Sequence, residues 1–161
     1  MTVTRQKKMN GFTVFELVMV VVLLGIISVF ALGRLFDSND FKAAGYFNDA
    51  LNATRYAQKL ALSSGCSVQV QISGTEYALF QRETDCTTGA FTRAVLNPAD
   101  RSKEYRNDDI PVGHFINASS PDFEFNAQGT LVNGLNISVT LQGENARIFL
   151  IDAQTGLVSV Q

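Results

Sequence analysis

The 22 residues from Phe12 to Gly33 hold one charge, Glu16, and only Thr13 and Ser28 as further polar side chains. At about 1.5 Å of rise per residue such a run makes a helix of roughly 33 Å, which matches the ~30 Å hydrocarbon core of a bilayer. Residues Met1 to Gly11 contain Arg5, Lys7 and Lys8 and no acid. Cations on one flank of an apolar helix hold that flank in the cytoplasm, so the remaining chain is expected on the far side of the membrane. A secretory signal peptide also pairs a basic start with an apolar stretch. Here Leu17 to Leu32 is longer than an ordinary signal core, and Gly33-Arg34-Leu35-Phe36-Asp37 lacks the small-x-small pattern of its cleavage site.

Glu16 is the anomaly of this segment. A carboxylate inside an apolar helix costs on the order of 2.5 to 3.5 kcal/mol on insertion scales and calls for a neutralising partner. An alternative is that Glu16, one turn from the helix start, snorkels to the headgroups and interacts with the helix dipole. Both readings are open at the level of this residue alone.

The surrounding string, Lys8-Met9-Asn10-Gly11-Phe12-Thr13-Val14-Phe15-Glu16-Leu17-Val18, narrows the choice. A basic leader ending in Gly, then Phe, then Glu at the fifth place of an apolar run resembles the prepilin signature of type IV pilins and type II secretion pseudopilins. The resemblance implies cleavage between Gly11 and Phe12 by a prepilin peptidase on the cytoplasmic face, and N-methylation of the new Phe12 amine. It implies an inner-membrane precursor with a periplasmic head, which leaves for a pilus or pseudopilus built with other pilins on an inner-membrane platform. It also gives Glu16 a partner: the freed ammonium of Phe12 on a staggered neighbour, so that leader removal and axial register are coupled.

Beyond the membrane, Phe47, Ala50, Leu51, Thr54, Ala57, Gln58, Ala61 and Leu62 recur at three- and four-residue spacing. Asn48, Asp49, Asn52, Arg55 and Lys59 fill the rest of the wheel. An amphipathic helix is expected, with Ser64-Gly65 as its stop. Gly33 and the poor helix formers Asp37-Ser38-Asn39-Asp40 leave open whether one helix runs from Phe12 to Ser64 or two meet there. After Gly65 the period changes to two. Ser67 to Ser73 and Glu76 to Arg82 read as a hairpin about Gly74, and further strands are expected near 123–126, 135–141, 146–151 and 157–160. Residues 97–122, with Pro98, Pro111 and Pro121, read as an irregular excursion.

The expected fold class is therefore α+β: a long N-terminal helix, apolar then amphipathic, packed on an antiparallel β-rich head. Its parts are a leader at 1–11, a transmembrane and assembly helix at 12–33, an amphipathic helix at 34–64 and a globular head at 65–161. The pattern Phe123 to Gly129, Ile137 to Leu141 and Arg147 to Val158 resembles the C-terminal half of H-type minor pseudopilins. With the two cysteines it is also similar to minor pilins such as the C-type prepilins of mannose-sensitive haemagglutinin pili.

Cys66 and Cys86 are an even pair on the translocated side, which points to a disulfide closing about 21 residues, worth roughly 3 kcal/mol in the chain-entropy picture. Two separate buried thiols are the alternative. Catalytic patterns are missing: His114 is the sole imidazole, and no Gly-x-Ser-x-Gly elbow, Walker loop or dinucleotide fingerprint occurs. No enzyme, cofactor or metal is expected; Asn107-Asp108-Asp109 lacks the Gly-turned ligand alternation of a calcium loop. Arg93, Arg101, Lys103 and Arg106 cluster, yet Asp100 and Glu104 lie among them. Of 13 Lys+Arg, three belong to the leader, leaving ten bases against 15 acids, which weighs against nucleic acid. The expected function is a minor type IV pilin-like structural subunit serving adhesion or motility. A type II secretion pseudopilin is the nearest alternative, and a membrane-tethered binding module or DNA-uptake receptor a more distant one.

Overall fold

The computed structural model describes residues 13–35 and 38–161. They fall into two compact units, divided after Ser38.

The first unit carries helix α1, Val14–Leu35. Thr13 caps it: its hydroxyl accepts the Glu16 backbone N–H at 3.3 Å, and its carbonyl accepts that of Leu17 at 3.2 Å. Thr13-Val14-Phe15-Glu16 thus has the Thr-x-x-Glu spacing of a capping box. Apolar side chains point outward on every side of the helix through Ile27, from 44% exposed at Val20 to 79% at Val14. The Ser28 hydroxyl is satisfied within the helix by the Leu24 carbonyl at 2.7 Å.

The second unit opens, from Asn39, within helix α2, Ser38–Ser64. Of the stretch Gly33 to Asp40, where one helix or two is open from sequence, residues 36 and 37 lie outside the described residues. One face of α2 is buried: Ala43, Tyr46, Phe47, Ala50, Leu51, Ala53, Thr54, Ala57 and Ala61. Small alanines at 50, 53, 57 and 61 let the helix backbone lie close against the strands. Buried Thr54 satisfies its hydroxyl on the Ala50 carbonyl at 2.9 Å. Gly65, at φ 67°, ends the helix in a left-handed cap with its N–H on the Ala61 carbonyl.

Nine strands follow, in two antiparallel sheets. They are β1 (Val68–Ser73), β2 (Glu76–Arg82), β3 (Phe91–Ala94), β4 (Arg106–Asn107), β5 (Phe115–Ala118), β6 (Asp122–Phe125), β7 (Ile137–Gln142), β8 (Arg147–Ile151) and β9 (Val158–Val160). The first sheet runs β3-β2-β1-β6, with β4 also on β2; the second runs β5-β7-β8-β9. The β1–β2 register, Val68 opposite Gln81 through Ser73 opposite Glu76, is that of the expected hairpin. Alternate residues of both sheets, among them Val68, Val70, Leu79, Ile116, Phe125, Val139, Leu141, Phe149 and Ile151, turn inward and meet α2 in one apolar core. Phe47 packs edge-on against Phe149, with centroids 5.6 Å apart.

Polar links from α2 fix the strands around it. The Tyr46 hydroxyl reaches the carbonyls of Thr75 and Asn107; Arg55 donates to the Val158 carbonyl at 3.0 Å. Gln58 donates to the carbonyls of Gly129 and Thr155, drawing two turns together. At that junction Gly156, φ 66°, approaches the Gly129 carbonyl so closely that no Cβ fits.

The α+β arrangement is as expected, with two corrections of detail. Residues 97–122, read as an irregular excursion, contain short regular elements. Val95 and Tyr105 pair, as do Asn97 and Lys103, so 95–105 forms a hairpin whose tip is held by the Asp100 carboxylate on the Ser102 N–H and hydroxyl. Strands β4 and β5 also lie in this stretch, invisible to periodicity because they are so short and pair with distant partners. The second correction concerns Leu62, expected on the packed face: it is 52% exposed and lies over Gly129, while the adjacent Ala61 takes the fully buried place.

Candidate functional site

Of the expected processing and assembly residues, Gly11 and Phe12 lie outside the described residues. Glu16 is described: it occupies the first turn of α1, exposed, among Phe15, Leu17 and Val18. Among the described residues no cation pairs with it. The helix start supplies its backbone with a cap, and its carboxylate is left for the dipole and for whatever adjoins the helix. The Thr-x-x-Glu spacing was a readable signal of this helix start that the sequence reading above passed over.

A helix apolar on all sides is stable only in lipid or in protein. Among the described residues no helix is long and apolar enough to cross a membrane. The side chains of α1 are described from Thr13 through Ser28, which corresponds to about 24 Å, while the span expected from sequence continues to Gly33.

The head carries the second candidate pair. Cys66 and Cys86 are joined by a disulfide, with Cα atoms 4.4 Å apart. It ties the residue after the α2 cap to the exposed loop between β2 and β3. That loop has its own frame. The Asp85 carboxylate accepts the N–H groups of Thr87 and Thr88 at 2.8 and 2.6 Å and both threonine hydroxyls. Those bonds, the Thr87 N–H first, hold its carboxyl well below the usual carboxylate range. Arg82 closes the loop from below, donating to the Gly89 carbonyl at 2.9 Å, pairing with Glu124 at 3.3 Å and covering the Phe91 ring at 4.3 Å.

The remaining sequence candidates are dispersed. His114 packs on Gly143, with Nδ1 3.3 Å from the Val112 carbonyl, and no serine joins it in a hydrogen bond. Asn107 accepts the Asp109 N–H in a local turn, and among the described residues no three potential metal ligands converge. In the basic stretch, Lys103 pairs with Asp100 at 3.6 Å, and Arg106 with Glu76 at 2.6 Å and Glu104 at 3.9 Å. Two of the four cations are thereby neutralised, and Arg93 and Arg101 are the two without a carboxylate among the described residues.

The α+β head built on an alanine-faced helix has the fold of minor pilins and minor pseudopilins among solved structures. Among solved structures the chain is similar to the type IV minor pilin FimU of Pseudomonas aeruginosa, with a TM-score of 0.57 and 14% identity over 76% of this chain and 90% of that one. It is similar to EpsH, the minor pseudopilin of the Vibrio cholerae type 2 secretion system, with a TM-score of 0.56 and 10% identity over 78% and 97% of the two chains. Escherichia coli GspH aligns with a TM-score of 0.52 and 14% identity over 77% and 88%. No protein-family profile and no curated protein sequence matches the chain.

Proposed function

We infer that the chain is a minor pilin-like structural subunit. It is made as an inner-membrane precursor, cleaved by a prepilin peptidase between Gly11 and Phe12, methylated at Phe12 and assembled into a pilus with other pilins. The observation that carries this reading is Glu16 in the first turn of an apolar helix, without a counter-charge among the described residues, directly after the leader pattern. The apolar run from Phe12 to Gly33 spans about 33 Å as a helix, which supports an anchor for the precursor in lipid and later a place among its counterparts in a filament core. In either place a lone carboxylate is costly, and a newly exposed ammonium on a neighbour removes the cost while rejecting wrong staggers. The disulfide suits the oxidising compartment in which the head would fold. The role is structural.

A minor pseudopilin of a type II secretion system is the second reading, favoured by the likeness to EpsH across 97% of that chain. N-terminal sequencing of the mature protein tests both: a methylated Phe12 is expected, and an intact Met1 overturns them. Deletion then separates them, with loss of surface filaments expected for the pilus and loss of secreted protein for the pseudopilus.

A further inference from the structure

The apolar side chains of the head that stand furthest out are Val112, 87% exposed, and Phe41, 83%. Both lie at the start of α2. Phe41 belongs to the first turn of that helix, and Val112 borders, with Asn39 and Lys42 of the same turn, an open cavity of about 360 Å³. The segment that carries Val112 is fixed from within. The Tyr46 hydroxyl donates to the Asn107 carbonyl at 3.3 Å, Ile110 packs on the core and Pro111 is buried, which leaves Val112 turned outward. Charges of both signs surround the cavity. Asp49, Asp109 and Lys42 line it and Asp108 stands next to Asp109; all four are exposed, and among the described residues none forms an ion pair.

Two protruding apolar groups beside separated charges of both signs match a surface that is apolar beneath and zwitterionic above, as a phospholipid interface is. The chain itself leads there: Phe41 follows Leu35, the last residue of α1, by six residues, at most about 22 Å of extended chain. We propose that in the membrane-anchored precursor the start of α2 rests on phospholipid headgroups, with Phe41 and Val112 entering the interface. The charges choose the lipid. Lys42 pairs with a phosphate, and Asp49, Asp108 and Asp109 accept hydrogen bonds from primary ammonium groups, so the surface fits phosphatidylethanolamine. Three acids against one lysine repel an anionic headgroup such as that of phosphatidylglycerol, and the trimethylammonium of phosphatidylcholine has no N–H to give a carboxylate. Such a contact holds the head against the bilayer until the subunit is withdrawn.

The proposal rests on the anchor reading of α1, which brings the head to the bilayer. Its test uses the absence of tryptophan from the chain. Val112→Trp, Leu62→Trp and Leu23→Trp are made singly in the full chain and reconstituted in phosphatidylcholine vesicles, alone or with phosphatidylethanolamine or phosphatidylglycerol. Headgroup-nitroxide lipid quenches a reporter at the surface and acyl-brominated lipid one in the core. Leu62 lies 21 residues beyond Phe41 on α2, roughly 32 Å along its axis, and is the distant reporter. With phosphatidylethanolamine, the nitroxide should quench Val112→Trp at least about threefold more than Leu62→Trp. Adding Phe41→Ser, or Asp108→Asn with Asp109→Asn, should bring the two level. Quenching of Val112→Trp no stronger than that of Leu62→Trp, as a surface made for a protein would give, overturns the proposal. Quenching indifferent to phosphatidylethanolamine, or as strong with phosphatidylglycerol, also overturns it. Acyl bromine on Leu23→Trp reads the anchor separately. Quenching there without quenching at Val112→Trp sinks the contact alone, and the reverse sinks the anchor alone.

Discussion

The two helices of this chain have nearly the same length and opposite surfaces. Helix α1 is apolar on every side and α2 on one side only, and that difference assigns each to its environment. A one-faced helix is satisfied by its own strands: the buried face of α2 shares one core with β1, β2 and β5 to β9, Arg55 reaches a carbonyl of β9, and Gln58 reaches carbonyls in two distant turns. A helix apolar all round finds no such cover in its own unit and must find it in lipid or in other chains. Stability of the head therefore resides in α2 and the sheets, and under the proposed function assembly would fall to α1.

Substitutions on the two helices and their partners should break this division if it is wrong. The largest effect is expected in the core, where Phe149 meets Phe47: Phe149→Ala should destabilise the head by about 4 kcal/mol, read from denaturant unfolding of the full chain in detergent. Opening the disulfide by Cys66→Ser with Cys86→Ser should cost about 3 kcal/mol in the same assay. Gly156→Ala comes next, at about 2 kcal/mol, because a side chain meets the Gly129 carbonyl at a left-handed φ. On α1, by contrast, Leu23→Ala should leave head unfolding unchanged within about 0.5 kcal/mol. A loss there comparable to Phe149→Ala would show that α1 helps to hold the head.

Acid should act on the head as well. Asp85, Asp100 and Asp152 are held below the ordinary carboxylate range by hydrogen bonds from Thr87, Ser102 and Thr155 respectively. A carboxyl more acidic in the folded than in the unfolded chain stabilises at neutral pH, and that contribution is lost as pH falls below about 4. Tyr46 and Tyr77 are pushed up by burial first and neighbouring carboxylates second, so stability should fall again as pH rises past about 10. Asp85→Asn, which keeps the acceptor, should flatten part of the acid limb in a pH series of melting curves.

Much of this architecture is legible in the residues themselves, for reasons the contrast between helices makes plain. Strict alternation from Ser67 to Ser73, the Gly74 turn and the returning run Glu76 to Arg82 read directly as a hairpin, and the strands found at β7 to β9 follow the expected runs within a few residues. The cysteine pair needed only parity and compartment. Strand β5 escaped because its four residues sit between prolines and pair with β7, some twenty positions later. The grip of Gln58 on Gly129 and Thr155 is equally hidden, since nothing local to residue 58 encodes a turn a hundred residues away. Glu16 stood out because charge is rare in an apolar run, but the partner proposed for it belongs to another molecule, which no single chain displays.

Incorporation of Glu16→Gln into surface filaments, scored beside its insertion in the inner membrane, tests the central claim most directly. The account expects normal insertion with incorporation reduced at least about tenfold, the equivalent of about 1.4 kcal/mol. Incorporation equal to the parent would contradict it.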